Sequence, residues 1–358
     1  MKPSPIKKSN KIRNIYINGE IPPIYFYIPV EATVDTSWPQ TIDEYWEWLK
    51  VQGIQCPGEQ SWVLQTYLYL KDADFPCQFT NSLPEEGLVV AHKVSLKAKR
   101  CLPNSRTFLV CARADKNPYD CAQLHVVQNK KQAAEKGLST AWKSFYIPHW
   151  PQSGLIPRDL DRGDRFENIV YLGDRVNLAP ELKTESWKAQ IANLGLNWIV
   201  VDDAKSWNDY SHVDAVLAVR SFDSNRYDHK PASKLFNAWR AGVPAILGCE
   251  SAFQTERQSE LDYLEAPSVD ALIAAIVKLR DDTNFRQSVI LNGKKRAEEI
   301  KPSAVRNSWI DFLVNQAVPA YYRWCSTPEP LQKAYVTSKR ALYWAWRAQK
   351  YLSDAMQP

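Results

Sequence analysis

No apolar run in this 358-residue chain approaches the ~20 residues needed to cross a bilayer, so no transmembrane helix is expected. The first residues, MKPSPIKKSNKIR, are basic, but no apolar stretch follows them, so they do not read as a secretory signal. The seven cysteines are an odd number and include no C-x-x-C pair, which argues against a disulfide framework and a zinc site. Cys101, Cys111 and Cys121 sit ten apart in or beside strand-like runs and are expected to be reduced, buried thiols of a cytoplasmic protein. No G-x-G-x-x-G follows any strand-like run, which excludes the dinucleotide fingerprint of a nicotinamide dehydrogenase. Internal repeats and low-complexity segments are also missing. D-x-D, the divalent-metal motif of one class of sugar transferases, occurs as Asp72-Ala73-Asp74 and Asp159-Leu160-Asp161. The first follows a helix-like run and the second lies in a linker-like one, so no metal site is expected.

What remains is a two-domain α/β pattern. The length exceeds one typical compact domain. Short apolar runs at 24–28, 75–80, 88–92, 106–111 and 124–128 alternate with helical patterns at 41–50 and 61–70. That alternation predicts a doubly wound parallel sheet. The stretch 145–156, FYIPHWPQSGLI, has no regular period. It leads into a charged linker, Asp159 to Asp164, and a second set of strands follows at 168–172, 198–201, 214–219, 243–247 and 263–266. Residues 303–358 read as mostly helical. Fourteen Trp and 17 Tyr are many, and most are expected to fill cores, although aromatic rings also stack on sugars. The net charge of +5 suits anionic small molecules or membrane surfaces and does not by itself indicate nucleic-acid binding.

Asp214 to Leu247, DAVLAVRSFDSNRYDHKPASKLFNAWRAGVPAIL, carries the most information. It reads as strand, basic loop, helix, glycine stop and strand. Ser233 is suited to cap the helix, and Gly242 with Pro244 to end it. The free amides of the first turn, with Arg220, Lys230 and Lys234 around them, suit a phosphate or diphosphate. The alternative is an ordinary capped helix with solvated lysines.

This segment is similar to the nucleotide-sugar half of GT-B glycosyltransferases, in particular the family called glycosyltransferase group 1. The family's A-x-G-x-P-V-I-like run appears as Ala238-Trp239-Arg240-Ala241-Gly242-Val243-Pro244-Ala245-Ile246. The similarity extends more weakly from about Leu88 to Leu279. It implies two Rossmann-like doubly wound parallel-sheet domains facing a cleft: an acceptor domain (1–160), a donor domain (161–315) and C-terminal helices (316–358) that pack back on the first. It implies transfer of a sugar from a nucleoside-diphosphate sugar to a hydroxyl of a glycan or lipid-linked acceptor, with no metal and no further cofactor. The family's two glutamates, eight positions apart, fall here on His229 and Asn237, neither of which is acidic.

In open parallel sheets, ligands sit outside the carboxyl ends of the strands. That rule nominates His92, Gln128 and Asn129 from the first domain, and Gly173, Arg220, Lys234, Glu250 and Ser251 from the second. The resemblance adds His229, Lys230, Ser233 and Asn237 as donor-binding residues. His92 and His149 are the candidates for general base, each weighed against a hydrogen-bonded structural histidine. Two other readings stay open: a GT-B-fold sugar-nucleotide epimerase, and a non-catalytic GT-B module that binds a glycan or partner. Ser338 to Leu352 mixes basic residues with Trp344, Trp346 and Tyr343. It is read as a closing helix on the first domain, with an interfacial helix at the inner membrane face as the alternative.

Overall fold

The computed structural model describes residues 21–29, 38–52, 58–134 and 136–355; the basic N-terminal stretch and residues 53–57 lie outside them. The first half contains β1 (Ile24–Tyr27), α1 (Ile42–Gln52), α2 (Gln65–Asp72), β2 (Gln78–Thr80), β3 (Gly87–His92), α3 (Lys93–Ala98), β4 (Thr107–Ala112), β5 (Leu124–Val127), α4 (Lys130–Ala133) and β6 (Ser144–Tyr146). Its six strands are all parallel, in the order β2-β1-β3-β4-β5-β6. β3, β4 and β5 are buried along their whole length, which explains why they read as unbroken apolar runs. Thr41 caps α1 through the Glu44 amide at 3.2 Å, while Glu44 reaches back to the Gln40 amide at 2.7 Å.

The second half contains β7 (Asn168–Leu172), α5 (Glu185–Asn193), β8 (Asn197–Val201), β9 (Ala215–Ala218), α6 (Ser233–Ala241), β10 (Ala245–Leu247), α7 (Ser251–Gln254), β11 (Leu264–Glu265), α8 (Val269–Asp281) and α9 (Thr283–Ala297). Its five parallel strands run β11-β10-β9-β7-β8. Two doubly wound parallel sheets therefore face each other, the GT-B arrangement. Gly242 takes φ 72° and ψ 34° at the end of α6, a left-handed conformation that costs a glycine little.

The chain then returns through α10 (Pro302–Phe312), α11 (Val318–Cys325) and α12 (Glu329–Ala355). Val305, Trp309, Phe312 and Trp324 belong to the core of the first sheet, where Trp309 meets Phe26 and Trp62 with ring centroids 6.3 Å apart. Each such aromatic pair is worth ~0.5–1.5 kcal/mol beyond its buried area. One face of α12 closes on the first half, with Tyr343 and Trp346 edge-on to Trp142.

One local expectation is corrected. Ser233 is not the cap of α6: Ala232 holds that position and no side chain accepts from the first turn, because Ser233 is already helical. In the charged linker Asp159 to Asp164 the residues are exposed except Arg162, which is buried. Arg158 and Arg162 both turn inward onto the buried carboxylate of Asp214.

Candidate active site

In the second sheet the chain steps from β7 to β8 on one side, then crosses to place β9 on the other. The loops after β7 and β9 thus diverge and open a crevice at their carboxyl ends, where α/β sheets bind ligands. A cavity of about 1080 Å³ occupies that place. This is at or just above the ~300–1,000 Å³ of ordinary ligand sites. Gly173, Asp174, Arg175 and Asn177 line it from the loop after β7, Asp202, Asp203 and Trp207 from beyond β8, and Arg220 from the end of β9. Ser233, Lys234 and Asn237 enter from α6. The opposite wall is Gln65 and Ser61 with the segment His149 to Ser153, which leaves the first sheet.

The floor is cationic. Lys234 Nζ donates to the Leu172 carbonyl and lies 4.6 Å from the centre of the Tyr171 ring. It forms no ion pair among the described residues. Burial, and then the nearby Arg220, push its pKa down to about 7, against a partial opposing effect of Glu250. Gly173 takes a φ of 153°, which side chains rarely adopt, and a Cβ there would displace the tip of Lys234, so glycine suits this position. Arg220 is held by two partners: Nε donates to Glu250 Oε2 at 2.8 Å and Nη1 to Asn177 Oδ1 at 2.5 Å. The uncapped first turn of α6 adds free amides and the positive end of its dipole. Two cations and a helix N-terminus thus face a single crevice, which suits a diphosphate.

His149 is the histidine that reaches the cavity. Its Nδ1 lies 2.7 Å from the Trp150 carbonyl and must carry the proton there, which leaves Nε2 as an acceptor. Burial lowers its pKa, partly opposed by that bond, so the ring stays neutral near pH 7. Trp62 stands edge-on to it at 5.4 Å and fixes its plane.

Several nominated residues lie elsewhere. His92, 2% exposed, does not line the cavity: its Nδ1 caps α3 through the Val94 amide, and its ring packs on Gly58. Glu250 is a buried carboxylate that orients Arg220 and does not face the open space. His229, Lys230 and Ser251 form a clasp between the two halves, away from the cavity lining. Gln128 Nε2 donates to the His229 carbonyl at 2.9 Å, and Asn129 Nδ2 to Ser251 Oγ at 3.0 Å. Lys230 pairs with Asp115 at 3.3 Å. Lys130 and the Tyr146 hydroxyl extend the clasp to Glu256 at 2.7 and 2.5 Å. Asn237 lines the cavity but is already engaged. Its Oδ1 accepts from the Gln152 amide at 3.1 Å and its side chain also bonds Tyr210, so it acts as a strut between the halves.

Asn177, Asp174, Arg175, Asp202 and Trp207 were not anticipated. Gly173-Asp174-Arg175, directly after a strand, carried a signal in its position. Asn177 carried none, because only the folded loop brings it to Arg220. Among the described residues no three His, Cys, Asp or Glu side chains group to hold a metal ion, every cysteine is free, and no helix is long and apolar enough to cross a membrane.

No protein-family model and no curated relative matches the chain. Solved structures similar to it include sucrose-phosphate synthase from Thermosynechococcus elongatus, 13% identical, with 78% of this chain and 80% of that one covered at a TM-score of 0.46. AviGT4, a glycosyltransferase involved in avilamycin A biosynthesis, is 9% identical over 85% of this chain and 98% of its own, at 0.47. HepE from Anabaena, solved with UDP-glucose, is 10% identical over 82% of this chain and all of its own, at 0.45.

Proposed function

We propose that the chain is a glycosyltransferase that moves a sugar from a nucleoside-diphosphate donor to a hydroxyl of a glycan or lipid-linked acceptor. The observation that carries this reading is the convergence of Lys234, Arg220 and the uncapped start of α6 on the crevice beside Gly173. Breaking the sugar–phosphate bond leaves negative charge on the departing diphosphate. Preorganised cations and amides stabilise that charge without a metal. In this reading Lys234 donates to a terminal phosphate oxygen and Arg220, set by Glu250 and Asn177, spans the two phosphates. Gly173 lets the diphosphate approach the backbone. His149 Nε2, on the opposite wall, accepts the proton of the incoming hydroxyl or orients it. The clasp around His229, Lys230 and Ser251 holds the halves together and excludes water, which would otherwise compete as acceptor.

A thermal-shift screen against UDP, GDP, ADP, CMP and NAD tests the donor site. Stabilisation by one nucleoside diphosphate is expected, while stabilisation by NAD alone would overturn the reading. The site also predicts a pH dependence. Free Lys234 loses its proton near pH 7, and a bound dianion raises that value. At pH 8 binding should therefore take up as much as about one proton, and affinity should fall as pH rises above 7. Calorimetric titrations in buffers of different ionisation heat measure the uptake directly. Binding with no proton uptake would remove Lys234 from the phosphate contact.

The exposed side of α12 bears on where an acceptor would be met. Trp344, Tyr351 and Leu352 are 64%, 76% and 57% exposed, flanked by Arg340 and Arg347. From Pro330 to Ser353 the helix holds five basic residues and no acidic one. Co-sedimentation with anionic vesicles, lost in Trp344→Ala together with Arg347→Glu, is expected if the acceptor is lipid-linked. Equal recovery of both proteins with the vesicles would remove α12 from that role.

A further inference from the structure

The cavity divides its charge unevenly between the two halves. Every carboxylate, lysine and arginine among the described residues that lines it comes from the second half: Asp174, Arg175, Asp202, Asp203, Arg220 and Lys234. The wall from the first half has none, and its one titratable ring near neutral pH, His149, is held uncharged by burial. What that wall offers is hydroxyl and amide groups with capacity to spare. Ser61 is 6% exposed and lines the cavity, and its hydroxyl has no hydrogen-bond partner among the described residues. It stands on a widened helical turn, Gln60–Leu64, in which the Gln65 amide bonds the Gln60 carbonyl five residues back, a device that recurs at functional sites. Ser153 Oγ accepts from Gln65 Nε2 at 3.1 Å, which leaves its own proton to donate. The Gln152 side-chain amide reaches only the Ser153 carbonyl, at 3.4 Å, and its oxygen is left to accept. Tyr45 and Leu49, one turn apart on α1, add an apolar strip that suits the C–H face of a sugar ring.

We infer, on the glycosyltransferase reading, that the accepting unit is an uncharged sugar and that this wall rejects sugars bearing a phosphate or carboxylate. The hydroxyls of a neutral hexose find donors and acceptors in Ser61, Gln152 and Ser153, and the reacting one finds His149 Nε2. A phosphate or carboxylate on the same ring would leave water for a wall without a cation, and an anion buried with no counter-charge is strongly disfavoured. Arg220 and Lys234, across the cavity, are engaged by the departing diphosphate.

Release of nucleoside diphosphate from nucleotide sugars, followed with matched acceptors, tests this. The acceptors are the methyl glycosides of glucose, galactose and mannose, each set against its 6-phosphate and its uronic acid. At least one neutral member should raise release above acceptor-free hydrolysis, and its charged counterparts should do so at least ~10-fold less. Gln152→Arg, which puts a cation on the wall, should narrow that ratio while the nucleotide thermal shift persists. The ratio in the unmodified chain stands by itself if that variant folds poorly. Charged members that match or exceed the neutral ones would overturn the proposal, as would a chain that binds and hydrolyses a nucleotide sugar but responds to no neutral member. No thermal shift with any nucleoside diphosphate and no release from any nucleotide sugar would instead remove the glycosyltransferase reading, and the acceptor class with it.

Discussion

Lys234→Met should lower turnover by ~10²–10³, the usual cost of removing one preorganised donor from a developing anion. It should also abolish the stabilisation given by the preferred nucleoside diphosphate. The ligand-free protein should be no less stable than the parent. The folded chain releases the Lys234 proton near pH 7, whereas the unfolded lysine keeps it to about 10.5. Charged Lys234 therefore disfavours folding at and below pH 7, and that cost is relieved as pH rises towards 10.5. Methionine fills a similar volume over Tyr171 without the charge, so thermal unfolding of the free variant near pH 6 should occur at the same or a higher temperature. A variant that keeps full turnover and its nucleotide shift would take the diphosphate off Lys234 and leave the cavity without its central donor. A variant that simply melts earlier would show a lysine retained for packing.

The fold was legible where periodicity and turn chemistry act locally. The buried strands read as apolar runs, and Gly242 ends its helix at the expected position. The site was legible in part. Gly173, Arg220, Ser233, Lys234, Asn237 and His149 do meet at one cavity. Lys230 and His229 lie within a few residues of Lys234 in sequence, yet the loop turns their backbones onto Gln128 and Asn129 of the other half. No local pattern encodes which side of a loop meets a partner domain. Arg158 and Arg162 were hidden for a related reason. They look like solvated linker charges until Asp214, more than fifty residues later, is placed beneath them. Glu250 was expected to touch ligand, but burial beside Arg220 makes it a second-rank partner that aims the guanidinium.

Asp214→Asn should destabilise the protein by ~3–5 kcal/mol, because removing one member of a buried ionic cluster leaves the others uncompensated. The Asp214 carboxylate accepts from Arg158 at 2.8 and 3.0 Å, from Arg162 at 2.6 and 3.0 Å, and from the Glu167 and Asn168 amides at 2.9 Å each. Asparagine keeps the shape but turns one acceptor into a donor facing guanidinium groups. Burial alone would raise the Asp214 pKa, but Arg162, the two amides and Arg158 outweigh it and hold the value below the ordinary one. Its contribution is therefore complete above pH ~4, where the unfolded carboxylate is also ionised, and is lost as pH falls through the lower folded value. The gap in stability between parent and variant should be flat from pH 8 to about 5 and close only in acid, as denaturant titrations at several pH values would show. The cluster ties the entry of β7 to the entry of β9, the two strands whose far ends carry Gly173 and Arg220. Loosening it should raise KM for the donor more than it lowers turnover, since the phosphate-binding groups keep their chemistry but lose their fixed spacing. A variant as stable as the parent at pH 7 would show that the two arginines find water or other acceptors at no cost, and that the switch-point strands are held by their ladder alone.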